Sequence, residues 1–101
     1  MIPNNRPMLV PIHPEEILLE EYLKPLGLSQ YKLAKASGIP ESRISQIIHG
    51  RHGITAETAL RIGRVLGTTP ELWLNLQRLH DLTVARKKKG REIEQLEPLV
   101  A

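Results

Sequence analysis

The polar side chains between Glu41 and Arg51 carry the groups best suited to recognition chemistry. With Ile44 set at zero on a helical wheel of about 3.6 residues per turn, Ile44, Ile47 and Ile48 share one face. Ser42, Gln46 and His49 lie on the opposite face, and Arg43 and Ser45 flank it on either side. These residue types do not make or break bonds in this arrangement; they donate and accept hydrogen bonds. A glutamine amide can pair with both edge groups of an adenine, and a serine hydroxyl accepts several partners. Ser42 and Gln46 are therefore the candidates for reading base edges in a duplex. Arg43 can reach a phosphate or a guanine. Glu41 can accept from a cytosine amine, or simply favour the positive end of a helix. Arg51, just beyond, is a candidate for the phosphate backbone.

Such a face needs a short helix held at a steep angle to another. The stretch Ser29 to Gly50 reads as that pair. Ser29 can cap a first helix, because its hydroxyl accepts from an orphan backbone N–H. Tyr31, Leu33, Ala34 and Ala36 follow without a breaker. Gly38 stops the helix by taking a positive φ, Pro40 pre-sets φ for a new start, and Gly50 ends the second helix. Ala34 stands four residues before Gly38, where only a small side chain fits; Ile44 and Ile47 stand six and nine after it, where apolar anchors hold the angle. That is the grammar of a DNA-binding helix-turn-helix; the plainer alternative is an αα-hairpin. Gln30, at the start of the first helix, faces a phosphate oxygen in this reading, as do the backbone amides there. Lys32 and Lys35 read as solvated.

A chain of 101 residues supports one domain with a modest core. It has no apolar run long enough for a membrane span, and residues 1–12, broken by Pro3, Pro7 and Pro11, read as an extended arm without a signal-peptide core. The absence of cysteine rules out disulfides and thiolate metal sites, and the expected compartment is the cytoplasm. Charge is uneven. Residues 15–21 hold Glu15, Glu16, Glu20 and Glu21 and no base, whereas residues 24–64 hold seven bases against Glu41 and Glu57. Arg86, Lys87, Lys88, Lys89 and Arg91 add a second basic run. A basic middle beside an acidic first helix suits one face toward phosphate and another toward something else. With Tyr22, Tyr31 and Trp73 as the sole aromatics, a single-strand stacking platform is excluded. His49 and His52 have no nearby carboxylate, no Gly-rich phosphate loop exists, and no motif frames a nucleophile. No metal, cofactor or enzymatic activity is implied.

The remaining helices follow from their punctuation. Helix 1 opens at His13-Pro14, carries Ile17, Leu18, Tyr22 and Leu23 inward, and closes at Pro25 and Gly27. Thr55 caps helix 4, which runs through Ala59, Leu60, Ile62, Val65 and Leu66 to Gly67. Thr69-Pro70 starts helix 5, with Leu72, Trp73, Leu74, Leu76, Leu79 and Leu82. Leu72, Trp73 and Leu76 can serve the chain's own core. Leu74, Leu79 and Leu82 are a surplus, read as a dimer surface, or else as a face covered by a tail folding back through Ile93, Leu96 and Leu99. Residues 86–101 form a basic tail to which the pattern assigns no element.

The blocks His13-Pro14-Glu15-Glu16-Ile17-Leu18, Leu26-Gly27-Leu28-Ser29-Gln30, Ser42-Arg43-Ile44, Gly50 to Ala59 and Trp73-Leu74-Asn75-Leu76-Gln77 together resemble the HigA (VapI-like) antitoxins of the lambda-repressor-like helix-turn-helix class. The resemblance spans about residues 12–85; Glu15 departs from it, standing where the family usually has Gly. It implies an all-α, five-helix domain over residues 13–85, with an N-terminal arm (1–12) and a basic C-terminal tail (86–101). It implies a homodimer that binds operator DNA to repress its own operon and neutralises a HigB/RelE-like ribonuclease toxin that cuts mRNA. By similarity, Ser42, Arg43 and Gln46 fall on the recognition helix and Arg51 on a phosphate-contacting loop. Glu16, Glu20 and Glu21 are the candidate toxin surface, since an RNA-cutting toxin should be basic. The alternatives are a plain, prophage-repressor-like regulator without a toxin, and an interaction module that no longer binds DNA.

Overall fold

A computed structural model describes residues 13–100; the extended arm expected over residues 1–12 lies outside them. Five helices follow one another. The first, α1, is composite: an α-turn Pro14–Glu16, a π-helical stretch Ile17–Leu23 and an α-turn Lys24–Leu26 run on as one rod. Then come α2 (Gln30–Ser37), α3 (Glu41–Ile48), α4 (Ala56–Leu66) and α5 (Pro70–Glu94). No strand occurs among the described residues, and no helix there is long and apolar enough to cross a membrane.

The expected punctuation is present with one change. Ser29, Thr55 and Thr69 each accept a backbone N–H three residues on, from Lys32, Thr58 and Leu72. Pro25, expected to close helix 1, instead lies inside its last turn, and Gly27 does the closing at φ 65°. There the Leu28 N–H donates to the Leu23 carbonyl at 2.8 Å and the Gly27 N–H to the Lys24 carbonyl at 3.1 Å, a Schellman ending. Proline is tolerated because the preceding stretch is widened. Pro25 has no N–H for the Glu21 carbonyl, and its ring would strike that oxygen in a regular α-helix. The wider winding, with the Lys24 N–H donating to Leu19, removes the conflict. It also brings Leu18 and Leu23, five residues apart, to the same buried side.

The core is one cluster shared by all five helices: Leu18 and Leu23 from α1, Leu33 and Ala34 from α2, Ile44 and Ile47 from α3, Ala59 and Ile62 from α4, and Trp73 from α5, with Ile39 and Ile54 from the connecting turns. Trp73 is fully enclosed. Its Nε1–H donates to Thr68 Oγ1 at 2.7 Å, and Tyr22 meets its ring edge-on with centroids 5.3 Å apart. Both polar and apolar parts of the indole are thus satisfied. Gly63 lies where α4 and the start of α5 pass closest: a Cβ there would stand 2.8 Å from the Thr68 carbonyl oxygen.

Residues 86–100 do not fold back onto the core. α5 continues unbroken through the basic run to Glu94, and Ile93, Leu96 and Leu99 are exposed. At 25 residues, or about 37 Å, α5 accounts for the long dimension of a molecule measuring 50 × 29 × 22 Å.

Candidate nucleic-acid interface

α3 is anchored as the wheel required. Ile44 and Ile47 are almost completely buried, and Ile48 packs against the same cluster. Glu41, Ser42, Gln46 and His49 on the other side are exposed; Arg43 and Ser45, at the flanks, are half-buried. No neighbouring element covers Ser42 or Gln46. The polar face is therefore free to meet a surface as broad as a duplex groove.

Its terminal groups are defined. Pro40 precedes α3 with extended backbone and offers no side-chain cap; its carbonyl accepts from the Arg43 and Ile44 N–H groups at 3.0 and 3.1 Å. At the far end the Gly50 N–H donates to Ile47 and the Arg51 N–H to Gln46, at 3.0 and 2.8 Å, with Gly50 at φ 70°. This second Schellman ending turns the chain sharply and leaves Arg51 exposed beyond it. His49 Nδ1 donates to the Ser45 carbonyl at 2.7 Å. Because a carbonyl can only accept, Nδ1 carries a hydrogen, and Nε2 is the ring nitrogen left for a ligand. Gln30 sits at the first position of α2, half-buried, and Lys35 Nζ lies 5.8 Å from the exposed Tyr31 ring.

Four positions act on α3 from behind, and none was among the candidate contact residues read from the sequence. Arg61, counted there among the bases of a phosphate-facing middle, is exposed but reaches back to the turn before α3. Its Nη1 donates to the Ser37 carbonyl at 2.9 Å and its Nε to Glu57 at 3.0 Å. The guanidinium fills the space a Cβ on Gly38 would take, at 2.8 Å, so the turn before α3 is tied to α4. Within that turn the buried Ser37 hydroxyl donates to the Leu33 carbonyl at 2.7 Å and accepts from the Ile39 N–H. Beyond α3, Gln77 of α5 accepts from the Ile54 N–H at 2.8 Å. Glu15 of α1 also reaches α3's end; its Oε1 would lie 3.0 Å from a Cβ on Gly50. The Glu57–Arg61 spacing of four was a readable signal. Nothing local links Gln77 to Ile54, or Arg61 to Ser37.

The other candidates separate by place. Glu16, Glu20 and Glu21 are exposed on α1, but Glu20 is already paired with Lys24 at 2.7 Å. On α5, Leu79 and Leu82 are each 41% exposed, whereas Leu74 is half-buried against the chain's own core.

With this geometry in place, the likenesses to known proteins are informative. The helix-turn-helix family matches residues 19–73. Virulence-associated protein I of Dichelobacter nodosus is 49% identical over 88 residues, covering 87% of this chain and 82% of the relative. Antitoxin HigA-1 of Vibrio cholerae serotype O1 is 36% identical over 89 residues, covering 88% and 84%. A solved structure of Pseudomonas aeruginosa antitoxin HigA with the higBA promoter superposes with a TM-score of 0.84 at 36% identity, over 90% of this chain and all of that one. The chain belongs to the HigA antitoxin family of helix-turn-helix proteins.

Proposed function

We propose that this protein is an antitoxin and autorepressor. As a homodimer it binds operator DNA through α3, represses its own operon, and neutralises a HigB/RelE-like toxin that cleaves mRNA. Residues 13–85 form the DNA-binding unit and residues 86–101 its basic tail, working in the cytoplasm at the nucleoid. The protein acts by binding, not by catalysis. The observation that carries this reading is the polar face of α3, open at Ser42 and Gln46 while Ile44 and Ile47 lock its other side into the core. A relative of the same shape has been solved with promoter DNA.

In this reading Ser42 and Gln46 meet base edges, with Arg43, Ser45 and His49 beside them and Glu41 at the positive end of the helix. Gln30, the first amides of α2 and Arg51 hold phosphates, fixing position without choosing sequence. A dimer joined through Leu79 and Leu82, with Leu74 at its margin, sets two α3 helices about one DNA turn apart, roughly 34 Å. Glu16 and Glu21, with Glu20 beside them, offer a basic toxin its acidic counterpart.

Co-expression with the product of the adjacent reading frame tests the whole reading. The expected result is co-purification, rescue of growth, and retardation of the duplex upstream of the protein's own gene. Retardation without capture or rescue would leave a plain transcriptional regulator; capture without retardation, an interaction module. Charge reversal at Glu16 and Glu21 should weaken toxin capture while leaving DNA retardation intact.

A further inference from the structure

Two of the blocks that carry the family resemblance lie off the polar face of α3, one around Gly53-Ile54-Thr55-Ala56 and the other at Trp73-Leu74-Asn75-Leu76-Gln77. In the folded chain they are bonded to each other. Gln77 lies one helical turn beyond Trp73, which anchors this part of α5 in the core. Its Oε1 accepts from the Ile54 N–H at 2.8 Å, and its Nε2 donates to Asp81 at 3.0 Å. The amide packs beside Gly53: a Cβ built there would stand 3.3, 3.4 and 3.5 Å from Nε2, Cδ and Oε1, a tight contact. Ile54 is itself 4% exposed, so its N–H has little recourse to water if the glutamine is lost.

The segment held this way leads directly out of α3. From Gly50 to Ile54 the chain crosses an open cleft lined by Glu15, Arg51, His52, Gln77, His80 and Asp81. It is fixed at its start by the Schellman bonds to Gln46 and Ile47, and in its middle by His52 Nδ1 donating to the Gly53 carbonyl at 2.7 Å. Gln77 provides the bond that ties it to another helix. Arg51, the exposed cation of this loop, has no bonded partner of its own among the described residues beyond its backbone N–H, so its placement depends on the loop beneath it. The requirement for glutamine is chemical. One end must accept from a backbone N–H and the other donate to a carboxylate, through a planar group thin enough to pack beside a glycine.

We propose that Gln77 is a positioning residue for DNA binding: by bonding Ile54 and packing on Gly53, it holds the Gly50–Ile54 loop so that Arg51 meets the phosphate backbone. This rests on the DNA-binding reading above. It adds that a residue on α5, away from the polar face of α3, sets the strength of the contact.

The test uses the full chain and the duplex upstream of its own gene, with binding measured by gel retardation. Gln77→Ala is expected to weaken binding about five- to tenfold, as loosening one phosphate contact should. In an Arg51→Ala background the same change should cost less than about twofold, because the contact it positions is gone. Gln77→Glu combined with Asp81→Asn reverses the donor and acceptor between the two side chains while keeping an acceptor for Ile54, and should restore binding. Gln77→Glu alone keeps an acceptor for Ile54 but sets a second carboxylate against Asp81; it should weaken binding in the same direction as Gln77→Ala and decides the matter if Gln77→Ala fails to fold. Unchanged affinity, or a loss that persists undiminished without Arg51, overturns the inference while leaving DNA binding itself intact. Failure of the unaltered protein to retard the duplex removes the DNA-binding reading and this inference together.

Discussion

At the scale of single residues, position rather than exposure distinguishes the two contacts proposed on and around α3. Gln46 stands exposed on the polar face, whereas Arg51 stands on a loop beyond it. A base-reading side chain and a phosphate-holding one should fail differently. We expect Gln46→Ala to cost about 1–3 kcal/mol on the operator and little on a scrambled duplex of the same composition. Arg51→Ala should weaken both duplexes alike and lower the slope of log affinity against log salt by about 1. A gel-retardation salt series on both duplexes measures the two effects together. Arg61 belongs to neither class. Its guanidinium is engaged by Ser37 and Glu57 and ties the turn before α3 to α4.

At the scale of elements, the same substitution should have opposite signs in two helices. Gly63 in α4 faces the Thr68 carbonyl oxygen, 2.8 Å from where a Cβ would stand, whereas Gly90 in α5 has nothing within 4 Å. Gly63→Ala forces backbone apart in a packed crossing and should destabilise the domain by about 1–3 kcal/mol, read as a lower thermal midpoint. Gly90→Ala removes backbone freedom at no steric cost, worth about 0.5–1 kcal/mol to the helix locally. It should raise helicity by circular dichroism while leaving the cooperative midpoint nearly unchanged, because its neighbours from Arg86 to Glu94 lie exposed. The π-helical stretch of α1 follows the same logic. A residue that breaks a local rule, Pro25, is accommodated because the winding before it changes.

At the scale of the whole molecule, exposed apolar side chains recur along α5 and just beyond it, with Leu26, Tyr31 and Leu60 exposed on the other helices. Leu79 and Leu82 remain 41% exposed, and beyond them Ile93, Leu96 and Leu99 are open. Leu79→Glu with Leu82→Glu is expected to leave the monomer folded, since the core cluster does not contain them. It should shift sedimentation from dimer to monomer and reduce operator binding more than binding to a single half-site. A folded variant that stays dimeric would move the interface to another part of the chain.

Local chemistry by itself determined most of the plan. Capping hydroxyls, glycines with positive φ and the isoleucine spacing on α3 all act within a few residues, so the element order and the polar face were legible in the residues alone. So was the family, from short blocks such as Gly50 to Ala59. Pro25 was misplaced because its accommodation depends on how the preceding turns wind to bury Leu18 and Leu23. The course of residues 86–94 was not legible either; their charges carry no periodicity, and helix is continued there from the anchored end of α5. Tertiary structure alone decided which polar groups meet across the fold. Arg61 and Ser37 are 24 residues apart, and Gln77 and Ile54 are 23 apart. A hydrogen bond between distant residues leaves no periodic trace in the chain, because its partners are brought together by the packing of Trp73, Ile44 and Ile62 rather than by their own neighbours.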